Sequence, residues 1–566
     1  MKVFVQLLLV VTIFGLVYCK RILDHNAVNQ KHYREIMNNL YEDVSPCNQF
    51  YPYVCNKWIE QHSDANYTSM WDMILYNGNM EIKKYFENTP RDEMPNFVKM
   101  TKNFYDSCMG SKEFISMEFM HWLEKEENMT WALLTPLNKE GVVYDWTLTM
   151  ATFRKYGFND MLAYHWLGSF EYIIKDDIYN LDNSITLPSG AMDFVELWEH
   201  IDEFENKLIE ILVKTQGEVI YKFKELPYEW LKKYVTALMG PGELNPNMEL
   251  SMKNGAAIKE LDKFLMQYEE IFLCRYLEVR FLLYLQSANK RQTSNDCMVL
   301  TTNLLTPATE WIHSHLHPEL VQEIPQIQQM FEDAVKNVNK TLRMSKKEGV
   351  IPQDVFEILE TVRLQVGNLP LSANTSELLE SFYKNLQLQA DDFYGNYMKI
   401  LKFHYDWEPR DKDMFFNKPT FSMSMWNVSP LIENGQKNLV ILPFAILRPP
   451  FYHATYENIF KQSSLGTSMI FDIFELFRGI KKRNSLNLSY IARFASSFEI
   501  YFSSLRDEEA KRIQTMFGMT SLQQLKKMFF VNGFYLLCEK DYPHVEIFNY
   551  MLEDLTEFGN AFDCKF

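Results

Sequence analysis

Apolar residues recur three and four positions apart through most of residues 51–412, a spacing typical of amphipathic α-helices. The run from Val195 to Leu212 shows the pattern clearly, and residues 271–285 form another helical run. Glycine and proline clusters at residues 240–242 and 349–352 interrupt it and predict turns. We therefore predict a largely helical segment without internal repeats.

The pattern changes between residues 421 and 452. Residues 438–442 read Asn-Leu-Val-Ile-Leu and are closed by Pro443, which favours a short β-strand. Helical spacing resumes from Gln462 onward. The pattern as a whole predicts a mainly α fold with a small β-sheet toward the carboxyl end.

Length and charge limit the expected number of compact units and the expected kinds of partner. A chain of 566 residues, 47% of them hydrophobic, is longer than one core normally organises, so we expect several compact units. The net charge of −17 argues against a nucleic-acid partner, because phosphate binding needs a basic surface.

The amino terminus has the features of a signal peptide. Lys2 precedes an apolar run over residues 3–17, and Cys19 ends an acceptable cleavage site. The run is shorter than the roughly 20 residues that a membrane span requires. We expect a secreted, extracellular protein; the alternative is a plasma-membrane protein held by an uncleaved signal anchor.

Six sequons for N-glycosylation agree with export. They begin at Asn66, Asn128, Asn339, Asn374, Asn427 and Asn487.

Several blocks of sequence carry a family resemblance. Residues 46–58 read PCNQFYPYVCNKW, residues 438–452 read NLVILPFAILRPPFY, and residues 558–564 read FGNAFDC, with FFVN at residues 529–532. This set, in this order, resembles the neprilysin family of zinc endopeptidases. It is most similar to insect secreted members that lack the zinc motif, which makes an insect extracellular fluid the expected source.

The resemblance implies a fold of two mainly α-helical lobes, the second being thermolysin-like with a small β-sheet. The implied ranges are a signal peptide at 1–19, an amino-terminal extension at 20–45, a helical lobe at 46–412 and a degenerate peptidase lobe at 413–566.

Seven cysteines remain once the signal peptide is removed, and their number alone does not give their pairing. The resemblance implies the bonds Cys47–Cys564, Cys55–Cys538 and Cys108–Cys297. Cys274 is then expected to be a buried thiol. The first bond would pack the amino-terminal segment against the carboxyl-terminal lobe.

In active members of the family, two histidines four residues apart on a helix bind zinc, and a glutamate after the first activates water. The corresponding pentapeptide here is Phe-Asp-Ile-Phe-Glu at residues 471–475. Phe471 and Glu475 stand at the histidine positions, and Asp472 stands at the glutamate position. A phenyl ring cannot ligate a metal.

The other positions of the site are also substituted. Ser489 replaces the glutamate that is the third ligand, and Arg493 replaces the aspartate that orients a ligand histidine. Asp541 and Ile547 stand where a histidine and an arginine stabilise the transition state. We therefore predict no zinc cofactor, and we expect Arg493 to pair with Asp472 or Glu475.

We expect the peptide-binding groove to be retained although the catalytic residues are substituted. The resemblance implies that the strand at residues 438–442 binds an extended peptide through its backbone. The predicted peptide-binding residues are Asn427, Asn438, Val440 and Leu442. The predicted function is a secreted pseudopeptidase that binds extracellular peptides or proteins, active neprilysin relatives among them. Two alternatives stay open: a metalloendopeptidase, and a structural secreted glycoprotein.

A histidine cluster offers one alternative metal site. On a helix, Glu310, His313 and His317 would share a face, with His315 between them. The favoured interpretation is a solvated helix end before Pro318.

Overall fold

The structure of the protein is a computed structural model. It describes residues 25–111, 114–136, 141–158, 163–165, 169–171, 194–214, 219–239, 244–252, 255–289, 293–344, 351–367, 369, 374–407, 427–429, 439–477, 490–541, 552–553 and 555–565. The chain divides into two compact units. Unit 1 comprises Met1–Glu87, Glu310–Leu369 and Ser422–Phe566, and unit 2 comprises Asn88–Thr309 and Pro370–Phe421.

This division differs from the ranges 46–412 and 413–566 that the resemblance implies. The reason is that residues before 88 and between 310 and 369 pack with the carboxyl-terminal stretch rather than with the central one.

Unit 1 is built mainly of helices around a three-stranded sheet. Its helices are α1 (residues 25–38), α2 (Phe50–Gln61), α3 (Met70–Asn88), α12 (Thr306–Leu316, of which unit 1 contains the part from Glu310 onward), α13 (Pro318–Met344), α14 (Gln353–Thr361), α17 (Asn458–Lys461), α18 (Thr467–Glu475), α19 (Tyr490–Ser504), α20 (Asp507–Phe517), α21 (Leu522–Tyr535) and α22 (Thr556–Phe562). Its strands are β5 (Arg363–Val366), β6 (Asn427–Ser429) and β7 (Leu439–Leu442), and a short 3₁₀ turn follows at Phe444–Ile446.

Unit 2 is also mainly helical. Its helices are α4 (Asn96–Gly110), α5 (Ser116–Glu127), α6 (Trp146–Lys155), α7 (Phe194–Lys214), α8 (Glu229–Met239), α9 (Gly255–Leu265), α10 (Glu270–Ala288), α11 (Ser294–Leu304), α15 (Thr375–Phe382) and α16 (Phe393–Trp407), with 3₁₀ turns at Arg91–Glu93 and Phe223–Glu225. A four-stranded sheet in the order β1-β2-β4-β3 comprises β1 (Ala163–His165), β2 (Ser169–Glu171), β3 (Val219–Lys222) and β4 (Glu249–Met252).

The predicted fold class, mainly α with small sheets, is confirmed. The two clearest helical runs of the sequence form α7 and α10. Local signals set several helix ends: Thr293 and Asp296 form a reciprocal capping box at the start of α11, and α20 ends at Gly518, whose φ of 67° is readily adopted by glycine.

The predicted strand at residues 438–442 is confirmed over residues 439–442, and its neighbours correct the role expected of it. The sheet order is β5-β7-β6, so β7 is the central strand, parallel to β5 and antiparallel to β6. Val440 and Leu442 are both buried. At Val440 the backbone of β7 is paired on both sides, so the sheet leaves no free edge there for the predicted peptide, whereas β6 pairs with β7 only as far as Ile441 and peptide binding at Leu442 stays a prediction. Asn438 lies outside the described residues.

All three predicted disulfides are confirmed. Cys47–Cys564 and Cys55–Cys538 lie in unit 1 and bridge 517 and 483 positions of sequence, and Cys108–Cys297 joins α4 to α11 in unit 2. The amino-terminal segment packs against the carboxyl-terminal stretch, as expected. The ring of Phe50 lies 5.0 Å from Phe534 and 4.8 Å from Phe558, measured between ring centroids.

Cys274 is a buried thiol, as predicted. Burial raises its pKa to about 12, so the unreactive protonated form dominates. No helix in the described part of the chain is both long and apolar enough to cross a bilayer.

His32 on α1 is a buried histidine that joins the first helix to the carboxyl-terminal stretch. Its Nε2 lies 2.9 Å from Oδ1 of Asn532, and its ring stacks on Tyr456 at a centroid distance of 4.3 Å. Its Nδ1 has no hydrogen-bond partner among the described residues. Burial lowers the pKa of His32 to about 3, although the bond to Asn532 opposes the shift.

We predict that His32 contributes to acid sensitivity. Between pH 6.5 and about 3, His32 takes up a proton in the unfolded chain but not in the folded one, so stability falls as pH falls through this window. The slope is at most about 1.4 kcal/mol per pH unit. A His32→Gln variant should lose this slope in urea unfolding measured from pH 7.5 to 5, whereas His121→Gln at an exposed position should keep it. Parallel pH profiles for wild type and His32→Gln would contradict the assignment.

Candidate functional site

The helix that carries the predicted zinc-ligand positions is α18. The chain enters it through α17 and a π-helical turn at Gln462–Gly466. A Cβ at Gly466 would displace the side-chain amide of Gln462. That amide donates to Oγ of Ser497 on α19, at 3.2 Å. Thr467 donates to the same oxygen at 2.9 Å, so α18 and α19 are held together by buried polar contacts.

Aromatic rings and an arginine occupy the space between α18 and α19. The guanidinium carbon of Arg493 lies 5.1 Å from the ring centroid of Phe471 and 5.2 Å from that of Phe474. Both distances are within the range of cation–π attraction. Phe494 packs edge-on against Phe471 at 5.6 Å. The structure therefore brings together two of the predicted positions, Phe471 and Arg493.

This cluster continues into the core of unit 1. Phe494 stacks on Phe534 of α21 at 4.4 Å, and Phe534 contacts Phe50 of α2. Phe474, Phe494 and Phe534 were not predicted to belong to this site. The spacing of Phe471 and Phe474 on one helix face was the available signal, but it shows only that the two rings are neighbours.

The remaining predicted positions are described to different extents. Asp472 is buried, with 5% of its surface exposed, and Asp541 is exposed. Ser489, Ile547 and the side chain of Glu475 lie outside the described residues. The expected pairing of Arg493 with Asp472 or Glu475 therefore stays a prediction.

The residues present at these positions do not fit a zinc ion. The phenyl ring of Phe471 supplies no lone pair to a metal. The fixed positive charge of Arg493 beside it would repel a divalent cation. Elsewhere in the described ranges, no group of three or more His, Cys, Asp or Glu side chains is arranged to hold a metal.

The histidine cluster is only in part the solvated helix end that the sequence predicted: His315 is exposed, but Glu310 and His313 are buried. Glu310 and His313 are 3% and 2% exposed. Glu310 accepts a hydrogen bond from the backbone N–H of Phe444 at 2.7 Å, and His315 stacks on Trp311. The error arose because the neighbouring Pro318 suggested an exposed helix end, whereas the loop after β7 covers this face.

Arg448, in that loop, is the centre of an ionic network. Its Nη1 lies 2.8 Å from Oε2 of Glu81, and its Nη2 donates to Nδ1 of His313 at 3.2 Å. His317 binds Glu81 through Nε2 at 2.9 Å and Glu319 through Nδ1 at 3.1 Å. The ring nitrogens of His317 and one of His313 are thus engaged by charged side chains, which leaves no convergent set of free ligands.

The network shifts the ionisation of its members. Burial acts to raise the pKa of Glu81, but its bonds to His317 and Arg448 outweigh burial and lower it to about 2. The bond to Glu81 raises the pKa of His317, whereas burial and the charge of Arg448 lower that of His313. These opposite shifts favour the charged form of His317 and the neutral form of His313.

One of the two edge strands of the unit 1 sheet is β6. Val428 pairs with Val440 of β7, and no other described strand covers the opposite side of β6. The backbone of Asn427, a predicted peptide-binding residue, belongs to this strand, but its side chain lies outside the described residues.

Three of the four predicted glycosylation sites whose side chains are described lie at the surface. Asn66, Asn128 and Asn374 are exposed, and Asn339 is partly buried on α13. The side chain of Asn427 and all of Asn487 lie outside the described residues.

Comparison with known proteins identifies the family that this chain resembles. Residues 46–194 match the family model of peptidase family M13. An endothelin-converting enzyme homologue of Locusta migratoria is 23% identical over 168 residues, which are 28% of this chain and 21% of that protein. The match thus spans about a fifth of the length of the curated relative.

Solved structures match over nearly the whole chain. A zinc metalloprotease of Mycobacterium tuberculosis has a TM-score of 0.61 at 12% identity, over 93% of this chain and 96% of its own. PepO of Lactobacillus rhamnosis has a TM-score of 0.58 at 11% identity, over 92% and 97%. A Haemonchus galactose-containing glycoprotein complex has a TM-score of 0.56 at 14% identity, over 94% and 96%. The resemblance to the neprilysin-type M13 peptidases is confirmed; at these identities the structures show the fold alone.

We predict a measurable coupling between Phe471 and Arg493. A double-mutant cycle with Phe471→Leu and Arg493→Met should give an interaction energy of about 0.5–1 kcal/mol in the free energy of unfolding, because both side chains are partly exposed. Lys340→Met on α13 should be additive with Phe471→Leu. Additivity between Phe471 and Arg493 would contradict the cation–π contact.

Proposed function

We propose that this chain, which has the fold of the M13 peptidases, is a secreted, non-catalytic member of that group that binds extracellular peptides or proteins. The observation that carries the proposal is Arg493 above the rings of Phe471 and Phe474, at positions that the resemblance assigns to the zinc centre. A fixed cation and two rings replace the donors that zinc needs.

The rest of the catalytic set supports the same conclusion. Asp541 and Ile547 stand at the positions of the transition-state histidine and arginine. At neutral pH neither side chain can donate a hydrogen bond from a positively charged group. Restoring hydrolysis would require changes at separate places in the chain. The groove is therefore proposed to bind without cleaving.

The edge strand β6 is the proposed binding element. Backbone pairing with an extended peptide needs an unpaired strand edge and asks little of side chains. In the described part of the sheet, β6 is paired only with β7. A bound peptide would extend the three-stranded sheet to four strands, beside Asn427 and Val428.

The proposed location is extracellular. Three disulfides, two of them spanning most of the chain, are typical of proteins from an oxidising compartment. The six sequons and the apolar amino-terminal run support export. The proposed partners are extracellular peptides or proteins, including active M13 peptidases.

A structural role is the second candidate. The likeness to the Haemonchus galactose-containing glycoprotein complex favours it, because that structure is described as a glycoprotein complex rather than as an enzyme. The metalloendopeptidase alternative has less support, because the histidines that could form a new metal site are engaged by Arg448, Glu81 and Glu319.

We predict that peptides selected on the purified protein will be recovered intact and bound through their backbones. Methylating a peptide nitrogen that pairs with β6 should weaken binding about 2- to 10-fold, the equivalent of one lost hydrogen bond. Methylation at the neighbouring nitrogen, which faces away, should have little effect. Affinity is measured by fluorescence anisotropy, and intactness by mass spectrometry.

Paired protein variants locate the binding edge. Val428→Pro on β6 should abolish binding, and Leu364→Pro on β5, the opposite edge, should preserve it, provided that circular dichroism shows both variants folded. Cleavage of the selected peptides would refute the non-catalytic proposal. Binding that ignores both backbone methylation and Val428→Pro would refute the use of β6.

A further inference from the structure

Unit 2 contains an open cleft of about 880 Å³ between α5 and the segment from α15 to α16. Its lining mixes aromatic rings with carboxamides. Trp122 and Phe403 are both partly exposed. The amides of Asn385 and Gln389 are exposed on the facing segment, and neither side chain is hydrogen-bonded to another described residue.

The aromatic rings of the cleft are held in place. Trp122 packs edge-on against Tyr156 at 5.8 Å, and the hydroxyl of Tyr156 donates to Glu127 at 2.6 Å. Phe403 packs against Phe382 at 5.1 Å. Rings fixed in this way present apolar surface to a ligand at little entropic cost.

Apart from Glu126, the charged side chains of the cleft lie close to opposite charges. Nζ of Lys402 lies 3.0 Å from both carboxylate oxygens of Asp406. Lys399 lies 3.7 Å from Asp392, and Glu127 is engaged by Lys155 as well as by Tyr156. With two positive and three negative side chains in its lining, the cleft has no strong excess of charge to favour an ion.

Apolar ring surface, unengaged carboxamides and balanced charge together suit a neutral polyhydroxylated ligand. A sugar ring has an apolar face of C–H groups that packs on an aromatic ring. Its hydroxyls, each both donor and acceptor, match the donor and acceptor atoms of a carboxamide. A cleft of this size is large enough for a short oligosaccharide.

A saccharide is expected beside this cleft. Asn128, which begins a sequon, caps the carboxyl end of α5, the helix that contributes Trp122, Glu126 and Glu127 to the lining. Asn128 is exposed and has a φ of 52°, so the chain leaves the helix there. At 1.5 Å per residue, Asn128 lies about 9 Å along the axis from Trp122, less than the length of an N-linked core glycan.

We propose that this cleft is a saccharide-binding site and that its resident ligand is the N-linked glycan of Asn128. Tethering makes the binding intramolecular, so even a weak site is occupied. With an effective concentration in the millimolar range, an intrinsic dissociation constant of about 0.1 mM would protect the glycan about tenfold.

The experiment is site-resolved deglycosylation of the native, secreted protein with peptide-N-glycosidase, followed by peptide mass spectrometry. The glycan of Asn128 should be released about tenfold more slowly than those of Asn66 and Asn374, which serve as exposed controls in the same molecule. All sites should be released at similar rates after denaturation.

Two variants separate cleft binding from local backbone rigidity. Trp122→Leu should raise the release rate at Asn128 to that of the controls, and the double variant Asn385→Ala/Gln389→Ala, which changes only exposed amides, should raise it without affecting folding.

An unoccupied Asn128, release at the control rate in the wild type, or slow release unchanged in both variants would overturn the proposal. Binding of free oligosaccharide only when the glycan is removed by Asn128→Gln would support it. Binding of free oligosaccharide to the fully glycosylated protein would overturn it.

Discussion

Two disulfides, Cys47–Cys564 and Cys55–Cys538, close unit 1, which is assembled from three separate stretches of the chain. In the chain-entropy model, closing a loop of 517 residues stabilises the folded state by about 6 kcal/mol, an upper estimate. The bonds place Phe50 against Phe534 and Phe558. Since Phe534 stacks on Phe494, the packing between α18 and α19 rests on the same closed core.

The described contacts between α18 and α19 hold the two helices together without a metal ion. Histidine and carboxylate ligands need a cation to offset their mutual repulsion and desolvation. Phe471 and Phe474 need none, and their rings attract the guanidinium of Arg493. The polar contacts of Gln462 and Thr467 with Ser497 fix the helices independently of any ion. The fold is thus supported by groups that do not depend on zinc.

The sequence was most informative where local chemistry decides the structure. The strand at 439–442 and the helices α7 and α10 follow from spacing alone, and the family resemblance supplied the disulfides. Prediction from the sequence failed where contacts between distant segments decide the structure. Nothing within the run Leu-Val-Ile-Leu tells a central strand from an edge strand, so β7 was expected to have a free edge that β5 and β6 in fact occupy. His313 was placed in solvent because its partner Arg448 lies 135 positions away. Charge complementarity suggested a carboxylate partner for Arg493 but gave no sign of its contacts with the rings.

The central claim is that the site between α18 and α19 holds no zinc, and the most direct test is the zinc content of the purified protein after equilibration with a small excess of the metal. A variant that restores the family's ligands, Phe471→His, Glu475→His and Ser489→Glu with Arg493→Asp, serves as the positive control. The account predicts a zinc-to-protein ratio near zero for the wild type and approaching about one for this variant. A wild-type protein that retains about one zinc per chain after dialysis would contradict it.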